Sequence, residues 1–127
     1  MIEIPVSNGE LIDKITILTI KSIRINDKAK LKNISLELDK LIVIAEKSLS
    51  DYDIENKIAL LQKVNEDIWD IEDKIRECEK KSLFDEEFIQ LARSVYINND
   101  RRASIKKEID VLTNSTITEE KSYAKYT

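Results

Sequence analysis

The sequence predicts an all-α protein, an antiparallel bundle of about four helices that contains a hairpin of two long helices. The 127 residues include one glycine and one proline and are rich in leucine, isoleucine, lysine and glutamate, a composition typical of helical proteins. Apolar residues recur at intervals of three and four, which is the spacing of amphipathic helices. Short polar breaks near residues 26–28, 48–53 and 82–85 separate the helices. We expect one domain, residues 1–127, whose tail (113–127) either folds back over the bundle or stays flexible.

The first two predicted helices differ in how much of their surface is apolar. The first spans residues 9–25 and begins at SNGE, where Ser7 can accept a hydrogen bond from the Glu10 amide and Glu10 can reach back to Ser7. Apolar residues surround this helix, so we expect it to be the most buried one, although its ITILTI run is also compatible with a strand. The second spans residues 29–48 and has an apolar seam with the spacing of a coiled coil: Leu31, Ile34, Leu38, Leu41 and Ala45.

The third and fourth predicted helices, residues 54–81 and 85–112, form the hairpin. Each is about 42 Å long at 1.5 Å per residue, and the short break between them requires an antiparallel arrangement. We expect Asp51 or Asp53 to cap the third helix. Asp85, Glu86 and Glu87 suit the N-terminus of the fourth, where the helix dipole favours negative charge. Helices of this length expose more apolar surface than a chain of this size can cover, so we predict a homodimer.

Composition and charge argue against several classes of protein. A net charge of −4 disfavours nucleic-acid binding, which needs a basic surface to neutralise phosphates. The longest apolar run, LIVIA, is far shorter than the roughly 20 residues of a membrane-spanning helix, so we predict no membrane partner. The N-terminal stretch MIEIPVSNGE shows neither the basic nor the apolar region of a signal peptide, and we therefore expect a cytoplasmic protein.

The absence of histidine narrows the chemistry that is available. It removes the usual general base near neutral pH, the histidine-ligated metal sites and the nucleophile systems that depend on an imidazole. An acidic stripe could supply oxygen ligands to Mg²⁺ or Ca²⁺, but four residues on one straight helix cannot surround an ion: Glu66, Asp70, Asp73 and Glu77. We therefore predict neither a metal site nor a cofactor.

The stretch RSVYINNDRRASIKKE, residues 93–108, is the main candidate for a binding site. It places asparagine and aspartate, which are weak helix formers, in the interior of the fourth predicted helix. Three of the chain's five arginines lie in this stretch, and a guanidinium can bind a carboxylate or phosphate through two parallel hydrogen bonds. With two lysines from one face of the first helix, the predicted anion site comprises Arg93, Tyr96, Asn99, Arg102, Lys14 and Lys21.

A purely structural interpretation of the same residues is also open. Asn99 and Arg102 share the apolar face of the fourth helix, so they could belong to a buried polar layer. Arg102 would then pair with an internal carboxylate such as Asp13 or Glu72. The two lysines of the first helix could equally lie on a solvated edge.

The chain contains three long motifs and a short one: IPVSNGELIDKITILTIK (4–21), VNEDIWDIEDKIRECE (64–79), FIQLARSVYINNDRRASIKKEI (88–109) and EEKSY (119–123). In this order they resemble a bacterial family catalogued as domain of unknown function 6165. The resemblance implies a small helical protein without an assigned activity. The polar positions that resemble the family's come from three helices and the tail: Glu10, Asp13, Lys14, Lys21, Trp69, Glu72, Arg76, Arg93, Tyr96, Asn99, Asp100, Arg102, Glu119, Glu120, Lys121 and Tyr123.

Three functions are compatible with these observations. The favoured one is an accessory or binding protein that holds an anionic small molecule or a partner's carboxylate through the Arg/Asn/Tyr cluster. The second is a small enzyme without histidine, acting on a phosphorylated or carboxylated metabolite by electrostatic catalysis. The third is a structural dimerisation module whose polar layer only fixes the helix register. A ligand would argue against the third function, and a charge-changing substrate would indicate the second.

Overall fold

The protein folds into four α-helices. The structure, a computed structural model, describes residues 1–126, and all regular secondary structure in that range is α-helical. Helix α1 spans Asn8–Arg24, α2 Lys28–Leu49, α3 Glu55–Lys80 and α4 Glu86–Leu112. The predicted all-α fold is therefore confirmed, and the ITILTI run belongs to α1 rather than to a strand.

Helix α1 is the central element, as its apolar circumference predicted. It packs against α2, α3 and α4, whereas α3 and α4 also pack against each other as a hairpin. The main hydrophobic core joins side chains from every helix and from the α2–α3 connection: Leu11, Ile12, Leu49, Ile54, Leu61 and Ile109. Because α1 contacts all three other helices, a polar residue on it can reach partners on several of them.

The start of α1 is capped partly by its own sequence and partly by the end of α4. Ser7 Oγ accepts a hydrogen bond from the Glu10 amide at 3.1 Å, as predicted. The predicted return contact from Glu10 to Ser7 is wrong, because the Glu10 carboxylate binds Lys106 at 2.6 Å instead. The Gly9 amide donates to Asp110 Oδ1 at 2.6 Å. One of the amides that a helix N-terminus leaves unpaired thus finds its acceptor on another helix.

A side chain caps the start of α4 but not the start of α3. The residue before α3 is Ile54, which makes no side-chain cap, so the prediction that Asp51 or Asp53 caps this helix is wrong. Ile54 is instead buried in the core, and this burial fixes the helix start. Asp85 does cap α4, because its Oδ1 accepts a hydrogen bond from the Phe88 amide at 3.3 Å.

Candidate functional site

A polar layer crosses the bundle where α1, α3 and α4 meet. Asp13, on α1, is 1% exposed. Its Oδ1 accepts hydrogen bonds from Asn65 Nδ2 and Arg102 Nε, each at 2.9 Å, and its Oδ2 accepts one from Arg102 Nη2 at 2.5 Å. The Asn65 amide also donates to Thr16 Oγ1 at 2.8 Å. We call Asp13, Thr16, Asn65 and Arg102 the polar layer.

The two-point contact between Arg102 and Asp13 dominates this layer. A buried carboxylate is costly unless it is paired and hydrogen-bonded, and the guanidinium supplies two parallel donors. The hydrogen bonds to Asp13 raise the pKa of Arg102 and outweigh the effect of its partial burial. Of the two internal carboxylates considered from the sequence, Asp13 is the partner of Arg102, whereas Glu72 pairs with Arg76 at 3.2 Å.

Lys106 lies one turn beyond Arg102 on α4, is buried, and adds a second cation to the charged cluster. Its Nζ lies 2.6 Å from Glu10 Oε2, 3.0 Å from Glu119 Oε2 and 3.8 Å from Asp13 Oδ2. Burial lowers the pKa of the ammonium, but the hydrogen bonds to Glu10 and Glu119 outweigh burial, so the pKa is raised overall. Lys106 therefore carries a positive charge at neutral pH.

The chain after α4 turns back and runs along the surface of that helix. Glu119 contacts Lys106, Glu120 Oε2 lies 3.1 Å from Lys107 Nζ, and the Tyr126 hydroxyl donates to Asp100 Oδ2 at 2.5 Å. The ring of Tyr126 meets the edge of Tyr96 with the centroids 5.1 Å apart. The tail, as far as Tyr126, thus lies along α4.

Glu119 is the residue through which the tail reaches the charged cluster. Its Oε1 lies 2.7 Å from Lys121 Nζ, and its Oε2 lies 3.0 Å from Lys106 Nζ. The hydrogen bond from Lys121, followed by that from Lys106, lowers the pKa of Glu119 to about 2. The Glu119 carboxylate is therefore ionised at neutral pH and bridges two ammonium groups.

The tail and α4, together with Glu10 of α1, line an open cavity of about 590 Å³. We call it the tail cavity. Its wall combines three tyrosines with cations and carboxylates, and its lining comprises Glu10, Val95, Tyr96, Asn99, Asp100, Arg102, Ala103, Lys106, Glu119, Lys121, Tyr123, Ala124 and Tyr126. A cavity of this size, with a few polar groups converging in it, is typical of small-molecule sites.

Three of the six predicted site residues line the tail cavity, namely Tyr96, Asn99 and Arg102. The other three are not part of its lining. Lys14 is exposed and lies 3.8 Å from Glu10, and Arg93 is exposed and donates to Gln90 Oε1 at 3.4 Å. Lys21 is half-buried on α1. Lys14 thus lies on a solvated edge of α1, as the structural interpretation of the sequence allowed.

Lys106 and Tyr126 were not singled out from the sequence, although both line the cavity. The signal for Lys106 was available, because it lies four residues after Arg102 and seven after Asn99, on the same face of α4. Nothing local marks Tyr126, whose position depends on the path of the tail. Glu119, Lys121 and Tyr123 entered the sequence analysis only through the family resemblance.

The weak helix formers in the middle of α4 each make a specific contact. Asn98 Nδ2 donates to the Ser94 carbonyl at 2.9 Å, and Asn99 Oδ1 accepts a longer hydrogen bond of 3.4 Å from Arg102 Nη1. Asp100 accepts from Tyr126. The first two contacts are local to α4, and the third joins the helix to the tail; together they offset the low helix propensity of these residues.

A second cavity of about 340 Å³ is lined by residues of α1 and α3 and by Arg102 of α4. Trp69, Glu72 and Arg76 line it, together with Arg102 and apolar residues of α1. The guanidinium of Arg24 stands over the Trp69 ring, 5.9 Å from its centroid. Three polar positions suggested by the family resemblance are thus grouped away from the tail cavity.

Two further features concern metal ions and membranes. Within residues 1–126, no three acidic or cysteine side chains are placed so that they could share a metal ion. In the same part of the chain, no helix combines the length and the apolar character that a bilayer crossing needs.

Fold and cavity together define a small all-α protein with a buried polar layer and a polar cavity beneath its own tail. Residues 2–126 match the model of a family described as "Family of unknown function (DUF6165)", and the chain belongs to this family. The resemblance noted in the sequence is thereby confirmed. No curated protein and no solved structure matches the chain.

Proposed function

We propose that the protein is a non-catalytic binding protein that holds an anionic small molecule, or a partner's carboxylate, in the tail cavity. The observation that supports this most directly is the convergence of Arg102, Lys106 and Lys121 on one cavity. Arg102 uses Nε and Nη2 for Asp13, which leaves Nη1 with one long contact to Asn99. A guanidinium held in this way can offer its remaining donors to a ligand with little loss of side-chain entropy.

The aromatic wall supports a ligand with a planar or apolar part. Tyr96, Tyr123 and Tyr126 line the same cavity as the cations. Tyrosine rings bury apolar area while their hydroxyl groups keep polar partners, which suits ligands that carry both a charge and a ring. A carboxylate joined to an aromatic or aliphatic group fits this combination better than a bare inorganic ion.

The enzyme alternative is less well supported by the groups that could act as nucleophiles. Pairing with Glu10 and Glu119 keeps Lys106 protonated, and burial raises the pKa of the Cys78 thiol. Neither group is activated in the way that covalent catalysis requires. Electrostatic catalysis by Arg102 and Lys106 would need cations that are less fully compensated than these.

Ligand binding is tested by the thermal shift of the wild type with carboxylates, sulfate, sugar phosphates and nucleotides. A ligand at 100 times its dissociation constant adds about 2.7 kcal/mol, which is a shift on the order of 10 °C for a domain of this size. We expect a carboxylate to raise the melting temperature, and Lys121→Ala to reduce that rise because the residue lines the cavity.

The matched control for this experiment is Lys125→Ala. Lys125 is an exposed lysine of the same tail that does not line the tail cavity. It should leave the ligand-induced shift unchanged. A shift that is equally large in Lys121→Ala, or no shift with any anion, would contradict the proposed function.

We also propose that the protein forms a homodimer through the end of the α3–α4 hairpin. Helix α3 is about 13 Å longer than α1 at 1.5 Å per residue, and Leu83, Phe84 and Ile89 at the hairpin end are exposed. Light scattering after size exclusion should give twice the 14.7 kDa chain mass. Phe84→Glu should restore the monomer, while Val43→Glu on α2 should not. A monomeric wild type at micromolar concentration contradicts this prediction.

A further inference from the structure

The position between Lys106 and Lys121 is already filled by a carboxylate of the protein itself. The two oxygens of Glu119 each accept from a different ammonium group, at 3.0 Å from Lys106 Nζ and 2.7 Å from Lys121 Nζ. All three side chains line the tail cavity. The chain therefore shows, with its own residue, how this cavity receives one carboxylate.

The Glu119 side chain can leave this position without unfolding the bundle. It is exposed, and it stands on a tail segment in which residues 116–126 are all exposed. The Glu119–Lys121 ion pair joins two exposed groups and contributes little, because both are well solvated when they separate. Lys106 is buried, but Glu10 and Asp13 remain beside its ammonium group when Glu119 leaves. The tail keeps other anchors when Glu119 rotates away, namely the Glu120–Lys107 ion pair and the Tyr126–Asp100 hydrogen bond.

A count of charges specifies what can replace the Glu119 carboxylate. The cations of the cavity are Arg102, Lys106 and Lys121, and Lys14 adds a fourth positive charge beside Glu10. The anions besides Glu119 are Glu10, Asp13 and Asp100. When Glu119 turns towards solvent, one positive charge is left uncompensated. A singly charged anion neutralises this charge, whereas a doubly charged anion leaves one negative charge in excess.

We propose that the ligand of the tail cavity is a monocarboxylate, and that its carboxylate takes the place of the Glu119 carboxylate between Lys106 and Lys121. This inference rests on the proposed function, and it adds the ligand class and an internal competitor. The ligand's remaining atoms lie against Tyr96, Tyr123 and Tyr126, which line the rest of the wall. The tail stays in place, because Lys121 is one of the groups that hold the ligand.

The test compares wild type, Glu119→Gln and Glu120→Gln with 4-hydroxyphenylacetate as the probe, by calorimetry or NMR titration at constant ionic strength. Glu119→Gln removes the competing charge but keeps the side-chain size, so the probe should bind roughly tenfold more tightly. Glu120→Gln removes the neighbouring tail charge, which pairs with Lys107 outside the tail cavity lining, and should change affinity less than about twofold.

Two further probes separate the ligand class from simple charge attraction. 4-Hydroxyphenylacetamide has the same ring and no charge, and it should bind to none of the variants. Sulfate, a dianion, should bind the wild type more weakly than the carboxylate. If sulfate binds more tightly than the carboxylate, the ligand class proposed here is wrong.

The outcomes also distinguish this inference from the proposed function. If the wild type binds the probe and Glu119→Gln binds it no better, Glu119 is not a competitor and only this inference fails. The same holds if Glu120→Gln improves binding as much as Glu119→Gln. If no variant binds any anion, the proposed function fails and this inference fails with it.

Discussion

Replacing Arg102 with alanine should lower the free energy of unfolding by about 3 kcal/mol, the low end of the range for breaking a buried ion pair. The variant leaves the Asp13 carboxylate, which is 1% exposed, with Asn65 as its remaining hydrogen-bond donor. Lys106 Nζ is 3.8 Å away and already holds two other carboxylates. We expect the low end because the Arg102 side chain is 28% exposed, so water can enter the space that it leaves.

Chemical denaturation of wild type and variant measures this difference, with a fall in melting temperature on the order of 10 °C as a second readout. The matched control is Arg101→Ala. Arg101 is exposed, and its hydrogen bond is one of 3.4 Å to Asn98, so its loss should cost less than about 0.5 kcal/mol. If both arginine variants are equally stable, Asp13 is not held as the structure shows.

A double variant tests whether the loss of stability in Arg102→Ala arises from the unpaired Asp13 carboxylate rather than from lost packing. Asp13→Leu combined with Arg102→Met replaces both partners by apolar side chains of similar size. Removing both partners is often nearly neutral, because no buried charge is left without a counter-ion. We therefore expect the double variant to be more stable than Arg102→Ala. A double variant as unstable as Arg102→Ala would show that packing, not charge, sets the cost.

The same arginine explains why the sequence could support two interpretations of the NNDRR stretch. The pattern of α4 places Arg102 and Asn99 on its apolar face, and that is compatible with a buried layer and with a ligand site. In the structure Arg102 belongs to both, since it pairs with Asp13 and also lines the tail cavity. Local periodicity assigns a residue to a face of a helix, but it does not say what lies opposite that face.

Helix positions followed from the sequence because they depend on neighbouring residues. Turn residues, apolar spacing and the Ser7 and Asp85 caps act within a few positions of each other, so a single segment reveals them. The start of α3 did not follow this rule. Ile54 begins that helix through burial in the core, and tertiary packing there replaces the side-chain cap that Asp51 or Asp53 would have made.

The tail cavity could not be derived in the same way. Its walls depend on contacts between residues far apart in the chain, such as Glu10 with Lys106 and Asp100 with Tyr126. Charged and aromatic side chains of the tail have many possible partners on a bundle with 36% charged residues. No local pattern selects among these partners, so the sequence indicated that the tail could fold back but not where it would lie.

Gly9→Ala should destabilise the protein by about 2 kcal/mol, although alanine is intrinsically the better helix former by about 1 kcal/mol. Gly9 has no positive φ angle, so its role is close approach rather than backbone conformation. A β-carbon there would overlap the Lys106 carbonyl oxygen and would lie 2.9 Å from Asp110 Oδ1. The Lys106 carbonyl oxygen is a backbone atom within α4, so the overlap can be removed only if α1 and α4 move apart.

The effect of Gly9→Ala reaches the candidate site as well as the stability of the fold. Separating the start of α1 from α4 moves Glu10 away from Lys106, which it now contacts at 2.6 Å, and weakens the hydrogen bond from the Gly9 amide to Asp110. Denaturation should therefore show a loss of stability, and the carboxylate-induced thermal shift should change.

Ser35→Ala, at an exposed position of α2, is the control, and it should gain a few tenths of a kcal/mol from helix propensity alone. A gain in stability from Gly9→Ala as large as that from the control would contradict this prediction. Helix propensity would then explain both results, and the close packing of α1 on α4 would not constrain residue 9.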